Sequence, residues 1–162
     1  MNMSPKIILA FLGFVFLFGI SGCGEKYPDG MPKLINVSLT FTQEGKPLSG
    51  ATVSLFSEDP SFKWAVGGTT NDNGVVVLKT HGIYTGVPEG AYQVCVNKFI
   101  SEGEPPTIAN PNVPPPRNYN LVESQYSNRR ETTLSLEIKS GNKYETFEVG
   151  KAVKEQLKVP GM

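Results

Sequence analysis

Hydrophobic and polar side chains alternate along several short stretches of the chain. The first such stretch runs Ile35-Asn36-Val37-Ser38-Leu39-Thr40-Phe41. Successive side chains of a strand point to opposite faces, so this pattern predicts a strand with one buried and one solvated face. Six further candidate strands have similar patterns, the second of them weakly, and lie at residues 51–55, 62–70, 75–80, 91–97, 134–138 and 144–149.

Turn signals separate these candidate strands. The clearest is Asn71-Asp72-Asn73-Gly74, whose residue types tolerate left-handed backbone conformations and predict a hairpin turn. About seven short strands punctuated by turns predict an all-β fold, a single antiparallel β-sandwich over residues 34–150. Residues 151–162 are interpreted as a C-terminal tail, in which 151–157 have the composition for one or two helical turns.

Residues 99–130 interrupt this regular spacing. Six prolines lie between positions 105 and 116, and proline, which lacks an N–H donor, does not pair inside a sheet. We therefore predict a long Pro-rich loop at 99–130. Loops of this length in compact domains are usually functional or disordered. This loop and the exposed sheet edges are the predicted contact surfaces for a partner.

The N-terminal 22 residues have the pattern of an export signal. Lys6 precedes an apolar stretch of 14 residues at 7–20. As a helix this stretch would span about 21 Å, less than the roughly 30 Å hydrocarbon core of a bilayer. A secretory signal peptide over residues 1–22 is therefore predicted, rather than a permanent transmembrane helix.

The signal ends in Ile20-Ser21-Gly22-Cys23, which resembles the bacterial lipobox. Small residues admit a peptidase, and the cysteine thiol accepts diacylglycerol. The resemblance implies that the mature chain begins at a lipidated Cys23, carries acyl chains such as palmitate, and continues as a polar tether over residues 23–33. Gly24 in place of aspartate favours transport to the outer membrane, with the domain facing the periplasm or the exterior. A disulfide between Cys23 and Cys95 is the alternative.

The net charge of the protein gives little electrostatic attraction to nucleic acid or to a membrane. The full sequence has 15 basic and 15 acidic side chains, and loss of Lys6 with the signal leaves 14 and 15. This balance argues against nucleic acid as a partner and against electrostatic attachment to a membrane. Attachment is therefore expected to depend on the covalent lipid.

Three segments resemble the motifs of carboxypeptidase-regulatory-like domains, which are also described as transthyretin-like. They are Gly45-Lys46-Pro47-Leu48-Ser49-Gly50-Ala51-Thr52-Val53, Thr69-Thr70-Asn71-Asp72-Asn73-Gly74 and Val87-Pro88-Glu89-Gly90-Ala91-Tyr92-Gln93-Val94. Residues 121–149 are similar to the C-terminal part of small lipoproteins of this type in planctomycete-like bacteria. The resemblance covers roughly residues 34–149 and implies a prealbumin-like sandwich. Such motifs specify turn geometry and packing rather than activity.

The resemblance also bears on catalysis. Metallocarboxypeptidases carry this domain beside a separate zinc domain, and the related hydroxyisourate hydrolases need several histidines and a C-terminal Tyr-Arg-Gly-Ser. This chain has one histidine, His81, and ends in Val159-Pro160-Gly161-Met162. We therefore expect no enzyme, no cofactor and no metal site. A small hydrolase is the remote alternative.

Individual residues offer few candidate sites. His81 is interpreted as a loop residue, since a zinc site needs three or four ligands. Cys95 is interpreted as a small buried side chain, with a redox or catalytic thiol as the alternative. The turn at residues 71–74 supplies oxygen ligands for calcium but lacks a closing glutamate.

Phe62, Trp64 and Tyr119 are the candidate binding residues. Phe62 and Trp64 are two positions apart, so on a strand they share one face. That face points either into the core or towards a carbohydrate or peptide ligand. The sequence thus predicts a membrane-anchored, noncatalytic binding or structural module of the cell envelope, with an unidentified protein or glycan partner. A carbohydrate-binding lipoprotein is the alternative.

Overall fold

The computed structural model describes residues 27–141 and 143–157. The predicted signal peptide and the lipobox-like residues Ile20, Ser21, Gly22 and Cys23 lie outside this part of the chain. Within it, fifteen short strands and one single-turn helix are present. In chain order these are β1 (Leu34–Ile35), β2 (Val37–Gln43), β3 (Lys46–Pro47), β4 (Thr52–Ser57), β5 (Val66–Thr69), β6 (Val75–Val77), β7 (Lys79–Thr80), β8 (Tyr84–Thr85), β9 (Val87–Pro88), β10 (Gly90–Asn97), β11 (Phe99–Glu102), β12 (Arg117–Val122), α1 (Ser124–Ser127), β13 (Ser135–Ile138), β14 (Lys143–Glu148) and β15 (Ala152–Gln156). No helix of the described residues is long and apolar enough to cross a membrane.

The first main sheet is built around β2. Strand β14 pairs along one edge of β2, and β3 and β6 pair with successive parts of the other edge. Val37, Leu39 and Phe41 are buried, while the residues between them are only partly buried. The prediction for this segment is therefore confirmed: its alternate, apolar side chains point into the protein.

The second main sheet has the strand order β13-β10-β4-β5-β7-β8, and every neighbouring pair in it is antiparallel. Strand β10 lies between β13 and β4, and its Val94 and Val96 pair with Leu55 and Val53 of β4. All four side chains are buried. The intervening residues of both strands consequently point to the opposite face of this sheet.

One apolar cluster joins the two main sheets. It contains side chains from β2, β6 and β14 of the first sheet and from β4, β5, β10 and β13 of the second. The stacked rings of Phe41 and Phe147, with centroids 5.4 Å apart, belong to it. Each fully buried aliphatic or aromatic side chain contributes about 1.5–3 kcal/mol. The all-β prediction is confirmed, in a sandwich-like arrangement of two main sheets over a common core.

The topology differs from the purely antiparallel prediction at one edge. Strand β14 pairs with β2 in parallel, with Lys143 opposite Val37 and Glu148 opposite Thr42. Parallel neighbours need a long connection, and here the chain between the two strands builds the second sheet. The turn after β13 then carries the chain back to the first sheet, so β13 and β14 do not form a hairpin.

Other boundaries also differ from the predictions. The segment at 62–70 forms a strand only from Val66, because a turn at residues 59–62 precedes it. The segment at 75–80 divides into β6 and β7, which belong to different sheets. The turn at residues 71–74 joins β5 to β6 across the two main sheets, so it is a tight turn but not a hairpin between paired strands.

The region predicted as a Pro-rich loop contains two paired strands. Strands β11 and β12 form an antiparallel hairpin, and β15 adds to β12, giving a third sheet with the order β11-β12-β15. The six prolines lie in the connection between β11 and β12 at residues 103–116, the Pro-rich tip. The prediction of helical turns at 151–157 was wrong. This segment forms β15, which pairs with the edge of β12 left open by β11, and backbone pairing there outweighs a weak local helical preference.

Thr70 is a buried polar residue that links two turns of the fold. Its hydroxyl donates to the carbonyl of Leu48 at 2.6 Å and accepts from the amide of Ala51 at 2.8 Å. Replacement by isosteric valine leaves both backbone groups without a partner. Thr70→Val should therefore lower the free energy of unfolding by at least about 2 kcal/mol. Urea denaturation measures this, with exposed Thr69→Val as the control, expected within about 0.5 kcal/mol of the wild type. Equal effects would contradict the assigned role.

Candidate binding groove

A groove of about 500 Å³ lies on the outer face of the second main sheet. Ser54 and Phe56 of β4 reach it because the alternate residues Val53 and Leu55 are buried in the core. The connection from β4 to β5 forms one wall, and Arg129 forms the other side. The lining includes the side chains of Ser54, Phe56, Asp59, Phe62, Trp64 and Arg129.

A tight turn sets the course of the β4–β5 connection. The Oδ1 atom of Asp59 accepts hydrogen bonds from the amide and the hydroxyl of Ser61, both at 2.8 Å. These bonds lower the pKa of the Asp59 carboxyl, with the hydroxyl bond contributing most. The amide of Phe62 then donates to the carbonyl of Asp59 at 3.1 Å. The turn thereby fixes where the two following aromatic residues leave the backbone.

Phe62 serves mainly as a cover for the core. Its ring meets the ring of Tyr92 edge-to-face, with the centroids 5.6 Å apart, and its side chain packs against the main apolar cluster. Tyr92 is itself buried, and its hydroxyl donates to the carbonyl of Pro88 at 2.9 Å. Burial raises the pKa of Tyr92 to about 12. Phe62 therefore stands between the groove and a closed, apolar interior.

Trp64 is partly exposed in the groove wall. Its ring lies edge-to-face with the imidazole of His81, with the centroids 5.2 Å apart, and the ammonium of Lys63 lies 5.2 Å from its centroid. His81 occupies the turn between β7 and β8, where its amide donates to the carbonyl of Ala65 at 2.7 Å. The single histidine thus supports the tryptophan from a neighbouring turn.

Arg129 completes the groove and is a residue that the sequence patterns did not single out. Its guanidinium carbon lies 5.0 Å from the centroid of Phe56, and its Nη2 is 3.4 Å from the carbonyl oxygen of Ser57. The segment that carries it is held against β10 by Thr132, whose hydroxyl donates to the carbonyl of Val94 at 2.6 Å. Thr132 and Val94 are 38 residues apart in the sequence, so no local sequence pattern predicts this contact.

Cys95 lies close to the groove but beneath its surface. It is on the outer side of β10, paired with Ser54, and is buried. Burial raises the pKa of the Cys95 thiol, although the charge of Arg129 partly opposes that shift. A buried thiol with a raised pKa is a poor nucleophile.

The remaining candidates lie apart from the groove. Tyr119 is on β12 of the third sheet, where the ammonium of Lys154 lies 4.6 Å from its ring centroid. At the turn of residues 71–74, the Oδ1 atom of Asn71 accepts from the amides of Asn73 and Val75. Among the described residues, no group of three or more His, Cys, Asp or Glu side chains is placed to hold a metal ion. The structure therefore brings together two of the three predicted aromatic residues.

No protein-family model matches the sequence. No curated protein matches it either. Among solved structures, the chain is similar to a DUF3823 family protein from Parabacteroides merdae, at 9% identity and a TM-score of 0.37, covering 75% of this chain and 47% of that one. It is also similar to a 9R-lipoxygenase from Cyanothece, at 14% identity and a TM-score of 0.36, covering 76% of this chain and 18% of that one. The chain thus spans about half the length of the first structure and less than a fifth of the second.

The two aromatic residues of the groove are expected to differ in what they stabilise. Phe62→Ala removes a ring packed on Tyr92 and the core, and should lower the free energy of unfolding by about 1.5–3 kcal/mol. Trp64→Ala removes a partly exposed ring that contacts His81 and Lys63 and is not packed on the main apolar cluster, and should cost less, about 1 kcal/mol. Urea denaturation of both variants tests the assignment. A larger loss for Trp64→Ala would show that the tryptophan is the structural residue.

Proposed function

We propose that this protein is a lipid-anchored, noncatalytic binding module of the bacterial cell envelope. The anchor is inferred from Ile20-Ser21-Gly22-Cys23 at the end of an apolar signal. The binding role depends on one structural observation, the groove between the β4–β5 connection and Arg129. Its volume of about 500 Å³ falls in the range of sites that hold small ligands.

The family resemblance supports a specific fold for the domain. We infer a transthyretin-like domain of the carboxypeptidase-regulatory-like type, and its three motifs coincide with positions where backbone geometry is demanding. Gly74 ends the second motif with φ +72°, and a Cβ there would overlap the carbonyl oxygen of Phe41. Gly90 of the third motif has φ +152° and leads into β10. Motifs of this kind indicate the fold but not the ligand, which depends on the side chains of the groove.

The proposed lipid anchor supplies the membrane affinity itself, so the surface of the domain needs no membrane-binding patch. Each buried methylene of an acyl chain contributes about 0.8 kcal/mol, and two or more chains give stable attachment. Strand β1 begins at Leu34, and in the tether before it the amide of Met31 donates to the carbonyl of Pro28 at 3.0 Å while the ring of Tyr27 lies 5.3 Å from that of Tyr84. The tether therefore lies against the domain from Tyr27 onwards. The four residues from Cys23 to Tyr27 can span at most about 14 Å, so the anchor would hold the domain close to the membrane surface. Gly24 favours the outer membrane as the site of attachment.

Two other surfaces compare less well with the groove as contact sites. The Pro-rich tip is exposed between paired strands, with Ile108 fully exposed at its end; it remains the main alternative for a protein partner. The edge strands β13 and β14 carry the ion pairs Lys139–Glu137 and Lys143–Glu145. Charged side chains on edges disfavour the addition of a further strand.

A carbohydrate ligand is the second candidate function, and Trp64 favours it. A partly exposed indole in an open groove offers a flat apolar face beside polar groups, which matches a sugar ring with apolar C–H faces and polar hydroxyls. Ser54, Ser57 and Asp59 supply hydroxyl and carboxylate groups in the same groove. Binding is then a matter of stacking plus a few directed hydrogen bonds.

The anchor is tested by metabolic labelling with a clickable palmitate analogue, followed by separation of membranes. Wild-type protein should carry the label and sediment with membranes, while Cys23→Ala should lose the label. Cys95→Ala is the matched control and should keep it, since Cys95 is buried in β10 and its thiol is not the acyl acceptor. A labelled Cys23→Ala protein would contradict the proposed anchor.

A further inference from the structure

We propose that the groove binds an acidic sugar, with Trp64 against the pyranose ring and Arg129 paired with the sugar carboxylate. This rests on the carbohydrate-binding function proposed above and names its ligand class. The supporting observation is that Arg129, an exposed cation of the groove lining, contacts the ring of Phe56 and the carbonyl oxygen of Ser57.

The charges around the groove leave Arg129 available. None of the ion pairs found among residues 27–141 and 143–157 includes Arg129. The nearby carboxylate of Glu131 accepts from the side-chain amide of Asn128 at 3.0 Å. Asp59, the acidic side chain of the groove lining, accepts from Ser61 through its Oδ1 atom and is in none of these ion pairs either. Lys63 lies outside the lining, with its ammonium beside Trp64. The lining thus holds one cation and one carboxylate that do not pair with each other, and a ligand carboxylate placed at Arg129 is favoured over a neutral group there.

Two contacts orient Arg129 over the sheet. Its guanidinium carbon lies over the ring of Phe56, 5.0 Å from the centroid, and its Nη2 donates to the carbonyl oxygen of Ser57 at 3.4 Å. The following residues are fixed by Asn128, whose Oδ1 atom accepts from the amide of Arg130 at 3.0 Å. A guanidinium has five N–H donors, so most of them are free for the paired hydrogen bonds that a carboxylate accepts.

The shape of the sheet surface suits a ligand that continues past one ring. A second depression of about 340 Å³ runs on along β4 and β5 and shares Ser54, Ala65 and Val66 with the groove. Gly67 forms part of its floor, and a Cβ there would overlap the carbonyl oxygen of Val53. The outer face of these strands is therefore a shallow furrow of small residues leading away from Trp64. This furrow fits an oligosaccharide better than a single compact ligand.

The same charges argue against a polyanion such as nucleic acid. The groove lining holds one cation, Arg129, and one carboxylate, Asp59, with Lys63 beside Trp64, and the whole chain has 15 basic and 15 acidic side chains. Binding to nucleic acid depends on many phosphate contacts at once. One well-placed arginine beside one aromatic ring instead corresponds to one carboxylate on one sugar.

Calorimetry with the full-length protein in detergent tests this proposal. The probes are oligomers of galacturonate, glucuronate and mannuronate, each compared with its carboxyl-reduced, neutral counterpart. At least one acidic oligomer should bind about tenfold or more tightly than its reduced form, because a hydrogen-bonded charge pair contributes on that scale. The preference should weaken as salt is raised.

Variants assign the preference to residues. Arg129→Gln should bring the acidic oligomer down to the affinity of the reduced one, and Trp64→Ala should weaken both. Arg130→Gln is the matched control: it removes an exposed neighbouring cation and should leave the preference intact. Circular dichroism and thermal unfolding check that each variant is folded.

The outcomes separate the two proposals. Equal affinity for acidic and reduced oligomers would overturn the acidic-sugar proposal and leave carbohydrate binding in place. No binding to any oligomer would overturn both. A preference that survives Arg129→Gln would remove Arg129 from the proposed site.

Discussion

The fold depends on burying the apolar faces of β2, β4 and β10 in one common cluster. Val37, Leu39 and Phe41 of β2 share this cluster with Val53, Leu55, Val94 and Val96 of the second sheet. A shift of one residue in any of these strands would turn its apolar side chains to solvent. The core therefore fixes the register of these strands, and the register in turn decides which of their side chains face outwards.

The groove follows from that register. Because Val53, Leu55 and Val94 point inwards, Ser54, Phe56 and Cys95 point outwards on the same sheet. The outer surface is then covered in part by the segment after α1, which Thr132 attaches to β10. Arg129 comes to lie over Phe56 as a result. A cation, an aromatic wall and a floor of small side chains thus meet on one face through packing on the opposite face.

The sequence was informative where local pattern and tertiary environment agree. The strands with clear alternation, such as those at residues 35–41 and 91–97, were located well because one face of each is buried. The third sheet was missed because β11, β12 and β15 are rich in polar side chains. Their pairing satisfies backbone groups and buries little apolar surface, so it leaves no period in the sequence.

The parallel pairing of β14 with β2 and the position of Arg129 could not be read from the chain for a different reason. Both depend on contacts between distant residues: Lys143 pairs with Val37, and Thr132 bonds to Val94. Trp64 is an intermediate case. Its aromatic character marked it as a candidate, but its contact with His81 depends on the turn between β7 and β8.

Photocrosslinking in living cells tests most directly the claim that the groove is the working surface. A photoreactive phenylalanine analogue is placed one at a time at Trp64 in the groove, at Ile108 in the Pro-rich tip and at Tyr144 on β14. Ile108 and Tyr144 are exposed and Trp64 is partly exposed, so a probe at each position can reach a partner. We expect a crosslinked envelope glycan from position 64 and none from position 144. Crosslinks from position 108 or 144 alone would contradict this expectation and place the binding surface away from the groove.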